Sequence, residues 1–167
     1  ICSVGRICEA KNYDNVPRVA QMLKAQGMKF HWFIIGPGSQ DEVRRIMSET
    51  GTDDVISLLG TRANPYPYIA GCDLYLQPSR YEGNSVTVRE AQILCRPVII
   101  TRYGTSADQV QHGVDGIICE LRNEAIANAI YDLAIDNTLQ QSIVQNLLHQ
   151  DYGNEQEIEK IYQLLCI

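Results

Sequence analysis

The sequence has no apolar run close to the roughly 18 residues that a membrane-spanning helix requires, and no basic stretch followed by an apolar segment near its start. It therefore predicts neither a transmembrane helix nor a secretory signal. Basic residues are also few, because 14 Lys and Arg stand against 20 Asp and Glu, a formal net charge of −6. Nucleic-acid-binding surfaces usually carry a basic excess, so we expect no nucleic-acid partner. A local anion site is compatible with this balance, since net charge describes the whole surface.

The sequence also lacks the residue spacings that are typical of metal sites. Its six cysteines include no C-x-x-C pair, no Asp-x-Asp triplet occurs, and the three histidines are scattered. We therefore expect no metal and no other cofactor. Scattered cysteines in a chain of this size do not indicate a disulfide framework, so reduced thiols and a cytoplasmic location are predicted.

Short apolar segments alternate with helical patterns along the 167 residues, a length typical of one domain. Strands are predicted at residues 1–4, 29–35, 55–59, 74–77, 97–101 and 116–119. Helices are predicted at residues 16–26, 85–95, 124–135, 139–148 and 155–165, and another opens with a capping box at residues 39–42 and stops at Gly51. This alternation predicts an α/β fold, a Rossmann-like doubly wound parallel sheet with helices on both faces and further helices at the C-terminal end.

Polar loops follow the first four predicted strands, at residues 5–14, 36–40, 60–68 and 78–84. Ligands bind at the carboxyl ends of the strands in open parallel sheets, so these loops should converge on one site. In the last of them, Glu82 precedes Gly83, and Asn84 or Ser85 is a candidate cap of the next helix. The start of that helix should present free backbone N–H groups around residues 85–87, a site suited to phosphate.

Glu90 lies on the same predicted helix, eight positions after Glu82. A carboxylate there can accept both hydrogen bonds of a vicinal diol such as a ribose. Taken singly, Glu82 is also compatible with a solvated loop residue and Glu90 with a surface helix residue. The neighbouring motifs favour a joint function.

Several ordered blocks resemble the large fourth family of retaining glycosyltransferases, which have the GT-B fold. Glu82 and Glu90 match its E-x7-E signature. The other blocks are V-G-R-I-C-E-A-K at residues 4–11, I-I-G-P-G at 34–38, L-L-G-T at 58–61, D-L-Y-L-Q-P-S at 73–79 and G-V-D-G at 113–116. The resemblance spans residues 4 to about 119 and is carried by the order and spacing of these blocks.

The resemblance implies a role for each matching residue. Arg6 and Lys11 would hold the donor diphosphate as catalytic cations, and Glu82 would lie near the hydroxyls of the transferred sugar. Glu90 would bind the nucleotide ribose. The remaining expected nucleotide-sugar contacts come from the helix start and from the loop that borders the base, at Gly83, Asn84, Ser85, Val86, Thr87 and Arg62.

The resemblance also implies that residues 1–167 are the donor-binding half of a two-domain enzyme, whose N-terminal acceptor-binding domain is absent from this chain. The reaction would transfer a sugar with retention from a nucleoside-diphosphate sugar, UDP-sugar rather than GDP-sugar, to a glycan or lipid-linked acceptor in surface polysaccharide or glycolipid synthesis. Without the other domain we expect no useful turnover. Any membrane contact is expected only through the missing half, peripherally at the inner membrane face.

Two other classes remain open at this point. One is a GT-B nucleotide-sugar epimerase half, and the other is a non-catalytic Rossmann-like binding module such as a receiver domain. Three positions also depart from the family pattern. Cys95 stands in place of a usual glycine, Val86 in place of a frequent proline, and Gln109 in place of a common glutamate.

Overall fold

Six short strands and seven α-helices alternate along residues 1–152, the part of the chain that the computed structural model describes. The strands are β1 (Cys2–Val4), β2 (Trp32–Ile35), β3 (Ile56–Gly60), β4 (Tyr75–Gln77), β5 (Val98–Thr101) and β6 (Ile117–Cys119). The helices are α1 (Val16–Ala25), α2 (Asp41–Thr50), α3 (Tyr66–Ala70), α4 (Val86–Ile93), α5 (Ser106–Gln109), α6 (Asn123–Ile135) and α7 (Asn137–His149). Two 3-10 turns, Glu9–Lys11 and Tyr13–Asn15, lie between β1 and α1.

All six strands are parallel and form one sheet in the order β3-β2-β1-β4-β5-β6. The chain moves outward from β1 to β3, then returns to the other side of β1 and moves outward again. The predicted doubly wound Rossmann-like sheet is therefore confirmed. Its topological switch point lies between β1 and β4, where loops leaving the two strands turn to opposite sides and open a crevice.

Helices cover both faces of the sheet because each strand directs alternate apolar side chains to opposite sides. One apolar cluster joins the sheet to α1, α2, α6 and α7, and the other joins it to α3 and α4. Trp32 is fully buried in the first cluster. Its indole Nε1 donates to Ser3 Oγ at 3.0 Å, and that hydroxyl in turn donates to Leu76 O at 2.7 Å. A buried serine in β1 thereby satisfies the polar atom of the largest core side chain.

The strand predicted at residues 29–35 is shorter than expected. It begins at Trp32, level with Ile56 of β3, and Phe33 is level with Cys2 of β1. Residues 29–31 have no ladder partner because both neighbouring strands begin at this level. The carbonyl of His31 instead accepts from the backbone nitrogen of Ile1 at 2.8 Å.

The predicted capping box at residues 39–42 is also wrong in detail. Helix α2 begins at Asp41, and Ser39 Oγ accepts from the Asp41 N–H at 3.3 Å while it donates to the Asp41 carboxylate at 2.8 Å. Glu42 does not return a hydrogen bond to the loop, because both of its oxygens pair with the Arg45 guanidinium.

The short helices α3 and α5 and the two 3-10 turns are not predicted, because segments of three to five residues show no helical periodicity. The remaining predicted boundaries agree with the structure to within two residues. The helix predicted at residues 155–165 lies outside the described residues. Within residues 1–152, no helix combines the length and apolar character that crossing a bilayer requires.

The carboxyl ends of β1 and β2 approach each other closely where glycine follows each strand. Gly36 has φ of 149°, and a Cβ atom built on it would lie 2.0 Å from Gly5 O. Only glycine accommodates both that φ and that approach. This contact holds the loop after β1 at the edge of the crevice.

Candidate functional site

The loops after β1 and β4 meet directly at the switch point. The Arg80 N–H donates to Ala10 O at 2.8 Å. The Arg80 guanidinium also binds both carboxylate oxygens of Asp14, at 2.8 and 3.1 Å. This two-point contact fixes the relative position of the two loops. Because these loops carry Lys11 and Glu82, the topology brings together two predicted site residues that are 71 positions apart.

Lys11 and Glu82 form an ion pair in this crevice. Lys11 Nζ lies 2.5 Å from Glu82 Oε1, and the two side chains are 18% and 13% exposed. The same carboxylate oxygen accepts from Ser79 Oγ at 2.7 Å and from Gln77 Nε2 at 3.3 Å. Three donors therefore fix one oxygen of Glu82, whereas Oε2 has no donor among the described residues. That second oxygen can accept hydrogen bonds from a ligand.

A chain of buried polar groups lies beneath this pair. The Tyr75 hydroxyl donates to Gln77 Oε1 at 3.1 Å, and Gln77 Nε2 donates to Ser79 Oγ at 2.8 Å. Burial raises the pKa of Tyr75, so this hydroxyl stays protonated at neutral pH. The Tyr13 hydroxyl is also buried beside Gly5 and Lys11, and burial raises its pKa as well. Neutral polar side chains therefore lie below the ion pair, and two of them, Gln77 and Ser79, donate to Glu82.

Helix α4 begins at Val86 and directs its first turn toward the same edge of the sheet. Among residues 1–152, no backbone acceptor contacts the N–H groups of Val86 and Thr87, as expected for an anion site. The expectation that the Ser85 N–H is also free is wrong. It donates to the side chain of Gln109 at 3.2 Å. The Ser85 and Thr87 hydroxyls lie 3.2 Å apart beside these amides.

Gln109 holds the segment before α4 through both ends of its amide. Its Nε2 donates to Ser85 O at 2.5 Å, and its Oε1 accepts from the Ser85 N–H and from the Tyr103 hydroxyl at 3.0 Å. Gln109 is only 4% exposed. A glutamate at this position would keep the two acceptor contacts but could not donate to Ser85 O.

Glu90 lies on α4 and binds a residue that the sequence does not assign to the site. The Tyr66 hydroxyl donates to Glu90 Oε1 at 2.9 Å. This hydrogen bond raises the pKa of Tyr66, because ionised tyrosine would lose the bond and face the carboxylate charge. Glu90 is therefore held toward α3 and is not a freely solvated helix residue.

The other predicted residues lie at the rim. Arg6 and Arg62 are exposed, and neither guanidinium has a hydrogen bond or ion pair to another described residue. Gly83 and Asn84 are exposed as well, and the Gly83 carbonyl accepts from the Thr105 hydroxyl. The Val86 side chain is 70% exposed at the start of α4. The structure thus joins Lys11 to Glu82 but leaves Arg6 and Arg62 without such a contact.

Four residues contact the site without having been predicted as site residues, namely Gln77, Ser79, Tyr66 and Gln109. Gln77 gives a signal in retrospect, since it is a polar residue at the end of an otherwise apolar strand. Gln109 also gives one as a departure from the family pattern. For Tyr66 the sequence leaves open a core position and one near the nucleotide base, but it gives no signal for the contact with Glu90, because that contact depends on how α3 and α4 pack.

The arrangement suits a ligand that carries both negative charge and hydroxyl groups. Arg6, Lys11 and the free amides of α4 can bind an anion, while Glu82 and Glu90 can accept from hydroxyls. Among residues 1–152, no group of three or more His, Cys, Asp or Glu side chains is arranged to hold a metal ion. Independence from metals and other cofactors stays a prediction.

Residues 1–149 match the model of the family described as "Glycosyl transferases group 1". The chain is 28% identical over 166 residues to an uncharacterized glycosyltransferase of Haemophilus influenzae, covering 96% of this chain and 47% of that protein. It is 31% identical over 127 residues to the N-acetylgalactosamine-N,N'-diacetylbacillosaminyl-diphospho-undecaprenol 4-alpha-N-acetylgalactosaminyltransferase of Campylobacter jejuni, covering 74% of this chain and 34% of that protein. The chain therefore spans less than half the length of these relatives.

The fold is also that of known structures. The crystal structure of Anabaena HepE in complex with UDP superposes with a TM-score of 0.85 at 21% identity. That match covers 99% of this chain and 48% of HepE.

Proposed function

This chain belongs to the glycosyl transferases group 1 family, and on that premise we propose that it is the donor-binding domain of a retaining glycosyltransferase. Its ligand would be a nucleoside-diphosphate sugar. The family match does not favour the two alternative classes, an epimerase half and a non-catalytic binding module.

The observation that carries the proposal is the contact between Lys11 and Glu82 at the switch point, 2.5 Å between Nζ and Oε1. A cation suited to a diphosphate touches a carboxylate suited to sugar hydroxyls. The diphosphate and the sugar of a donor are adjacent in the molecule, so their binding groups must be adjacent in the site. The free amides of Val86 and Thr87 would add neutral donors for phosphate oxygens.

In the proposed reaction the bond between the anomeric carbon and the phosphate oxygen breaks, and negative charge grows on the leaving phosphate. The acceptor hydroxyl oxygen forms the new bond to that carbon, and its proton passes to the departing diphosphate. The planar guanidinium of Arg6 can donate two hydrogen bonds to phosphate oxygens, and the Lys11 ammonium is a compact cation. Both would stabilise the negative charge of the leaving phosphate. These two cations and the start of α4 would therefore make a metal unnecessary. Glu82 would bind the transferred sugar through its open Oε2, while its Oε1 stays fixed by Lys11, Ser79 and Gln77.

We also propose that the acceptor is bound by a second, N-terminal domain of the same polypeptide. The extent of the match supports this, because the chain corresponds to 47% of the Haemophilus influenzae relative. The name of the Campylobacter jejuni relative includes a sugar linked to diphospho-undecaprenol. This supports a glycan or lipid-linked acceptor here, with the full-length enzyme peripheral at the inner membrane face.

Titration calorimetry of the chain with UDP, GDP and the corresponding sugar nucleotides tests the donor site. UDP is the first probe because the HepE structure of the same fold holds UDP. We expect UDP to bind more tightly than GDP, and ligand at about 100 times its Kd to stabilise the fold by about 2.7 kcal/mol in thermal denaturation.

Two variants assign the residues. Arg6→Ala and Glu90→Ala should each weaken UDP binding by about tenfold or more, since each removes a charged hydrogen-bonding partner. Arg45→Ala is the matched control, because Arg45 is exposed and pairs with Glu42 and Glu49 of its own helix. If neither UDP nor GDP binds at millimolar concentration, the donor-site proposal is wrong. Wild-type affinity in both site variants would refute the residue assignment alone.

A further inference from the structure

Tyr66 contacts the proposed ribose-binding carboxylate from a different helix. It is the first residue of α3, and its hydroxyl donates to Glu90 Oε1 at 2.9 Å. The Asn64 side chain accepts from the Tyr66 N–H at 3.1 Å, which fixes the backbone at the start of α3. The Tyr66 side chain is 48% exposed, so water can hydrogen-bond to its hydroxyl. The hydroxyl would therefore have a partner even without Glu90. The bond therefore orients Glu90 more than it stabilises the core.

The contact determines which hydrogen-bonding groups the site offers. A tyrosine hydroxyl has one hydrogen, and Tyr66 uses it on Glu90 Oε1. Its own oxygen can then only accept. Glu90 Oε2 has no donor among the described residues, and a carboxylate oxygen also only accepts. The Tyr66 oxygen and Glu90 Oε2 are therefore two neighbouring hydrogen-bond acceptors, and a ligand with two adjacent hydroxyl groups can donate to both.

We propose that Tyr66 is a positioning residue that holds Glu90 for a vicinal diol and thereby selects ribonucleotides over deoxyribonucleotides. The inference rests on the proposed function and deepens it. Glu90 alone has several side-chain rotamers, and only some present its free oxygen to a diol. The hydrogen bond from Tyr66 selects among these rotamers before the ligand arrives. The selectivity follows because a deoxyribose supplies fewer donors to the same acceptors.

The test combines a substitution in the protein with a change in the ligand. Calorimetry compares UDP with 2′,3′-dideoxy-UDP for the wild type and for Tyr66→Phe, which removes only the hydroxyl. Loss of a hydrogen bond to a charged group should weaken UDP binding by about tenfold. The same substitution should change the binding of 2′,3′-dideoxy-UDP by less than about twofold, because that ligand has no diol to receive.

A second cycle tests whether Tyr66 acts through Glu90. In a Glu90→Ala background, which has no acceptor for the Tyr66 hydroxyl, Tyr66→Phe should produce no further loss of UDP affinity. Tyr68→Phe is the matched control, since Tyr68 lies on the same helix and its hydroxyl has no hydrogen bond to another described residue. Its affinities should equal those of the wild type.

Each outcome separates the two proposals. Tyr66→Phe with wild-type affinity for UDP overturns the inference, as does an equal loss for UDP and the dideoxy ligand. Normal UDP binding by the wild type in those cases leaves the proposed function intact. If the wild type binds no nucleoside diphosphate, the proposed function is wrong and the inference is overturned with it.

Discussion

Replacing Gln109 should destabilise the fold and the start of α4 together. The Gln109 amide contacts three buried polar groups, the Ser85 N–H, the Ser85 carbonyl and the Tyr103 hydroxyl. Gln109→Leu has a similar size but offers none of these contacts. The three groups would lose their partner in a region from which water is largely excluded, since Gln109 is 4% and Ser85 is 3% exposed.

The structure gives the expected magnitude. A buried hydrogen-bonding group left without a partner costs about 1–3 kcal/mol, so three groups at the lower end give about 3 kcal/mol for Gln109→Leu. Gln109→Glu keeps both acceptor contacts and loses only the donation to Ser85 O. In Gln109→Glu a carboxylate oxygen would face Ser85 O, which is also an acceptor, and a charge would lie in a site that is only 4% exposed, so its loss should be more than about 1 kcal/mol.

Urea denaturation followed by circular dichroism measures these differences, with Gln26→Leu as the control. Gln26 is exposed at the end of α1, so its replacement should change the free energy of unfolding by less than about 0.5 kcal/mol. Gln109→Leu should also weaken UDP binding, because Ser85 positions the free amides of Val86 and Thr87. If Gln109→Leu unfolds within about 0.5 kcal/mol of the wild type, the amide does not hold this segment and the reasoning is refuted.

Two further changes test the geometry around the site. Gly36→Ala should lower the free energy of unfolding by more than about 1 kcal/mol. The φ of Gly36 is 149°, and an added Cβ atom would lie 2.0 Å from Gly5 O. A urea midpoint equal to that of the wild type would contradict this prediction. The pKa of Tyr66, followed by ultraviolet absorbance, should lie above the usual value of about 10 and fall in Glu90→Gln, since the Glu90 carboxylate raises it. A raised pKa favours the protonated hydroxyl, so the hydrogen bond from Tyr66 to Glu90 should persist through neutral pH and be lost as the pH rises through that pKa. If the pKa of Tyr66 is the same in Glu90→Gln as in the wild type, the hydrogen bond does not form.

The sheet and its crevice follow from the sequence because their signals are local. Each strand is a short apolar run, each long helix shows a periodic apolar stripe, and alternation implies parallel crossovers. The carboxyl-end loops then have to lie along one edge of the sheet, and Lys11 and Glu82 meet there across 71 positions. The prediction that these two residues act at one site comes from the family resemblance and not from the alternation.

The contacts that orient the site are long-range and specific, and they could not be predicted. Gln109 binds Ser85 across 24 residues, and Tyr66 binds Glu90 across the same separation. Neither pair has a periodic signature, because each depends on how two helices pack over one face of the sheet. The free Ser85 N–H was predicted from the start of α4 alone, but this N–H donates to the side chain of Gln109 in α5.

Cys95 shows the intermediate case, in which the sequence indicated an anomaly but not its cause. It stands where the family usually has glycine, and the structure gives it φ of 54°, in the left-handed region that favours glycine. The departure therefore concerns the backbone conformation. Its thiol donates to the Ile93 carbonyl at 3.8 Å, and the side chain packs against the first apolar cluster. The small side chain of cysteine fits a turn that a larger or β-branched residue would strain.

The two cations of the site differ in what they can contribute to attracting an anion. Lys11 is half of an ion pair, so its charge is already balanced by Glu82 at 2.5 Å. An approaching diphosphate is attracted by Lys11 and repelled by Glu82 at nearly the same distance. Arg6 is exposed and has no acidic partner among the described residues, so its charge acts without compensation. Arg6 should therefore contribute more to long-range attraction, and Lys11 more to the orientation of the phosphate and of Glu82 once the ligand is in contact. This division would allow a chain with a net charge of −6 to hold the proposed anion site.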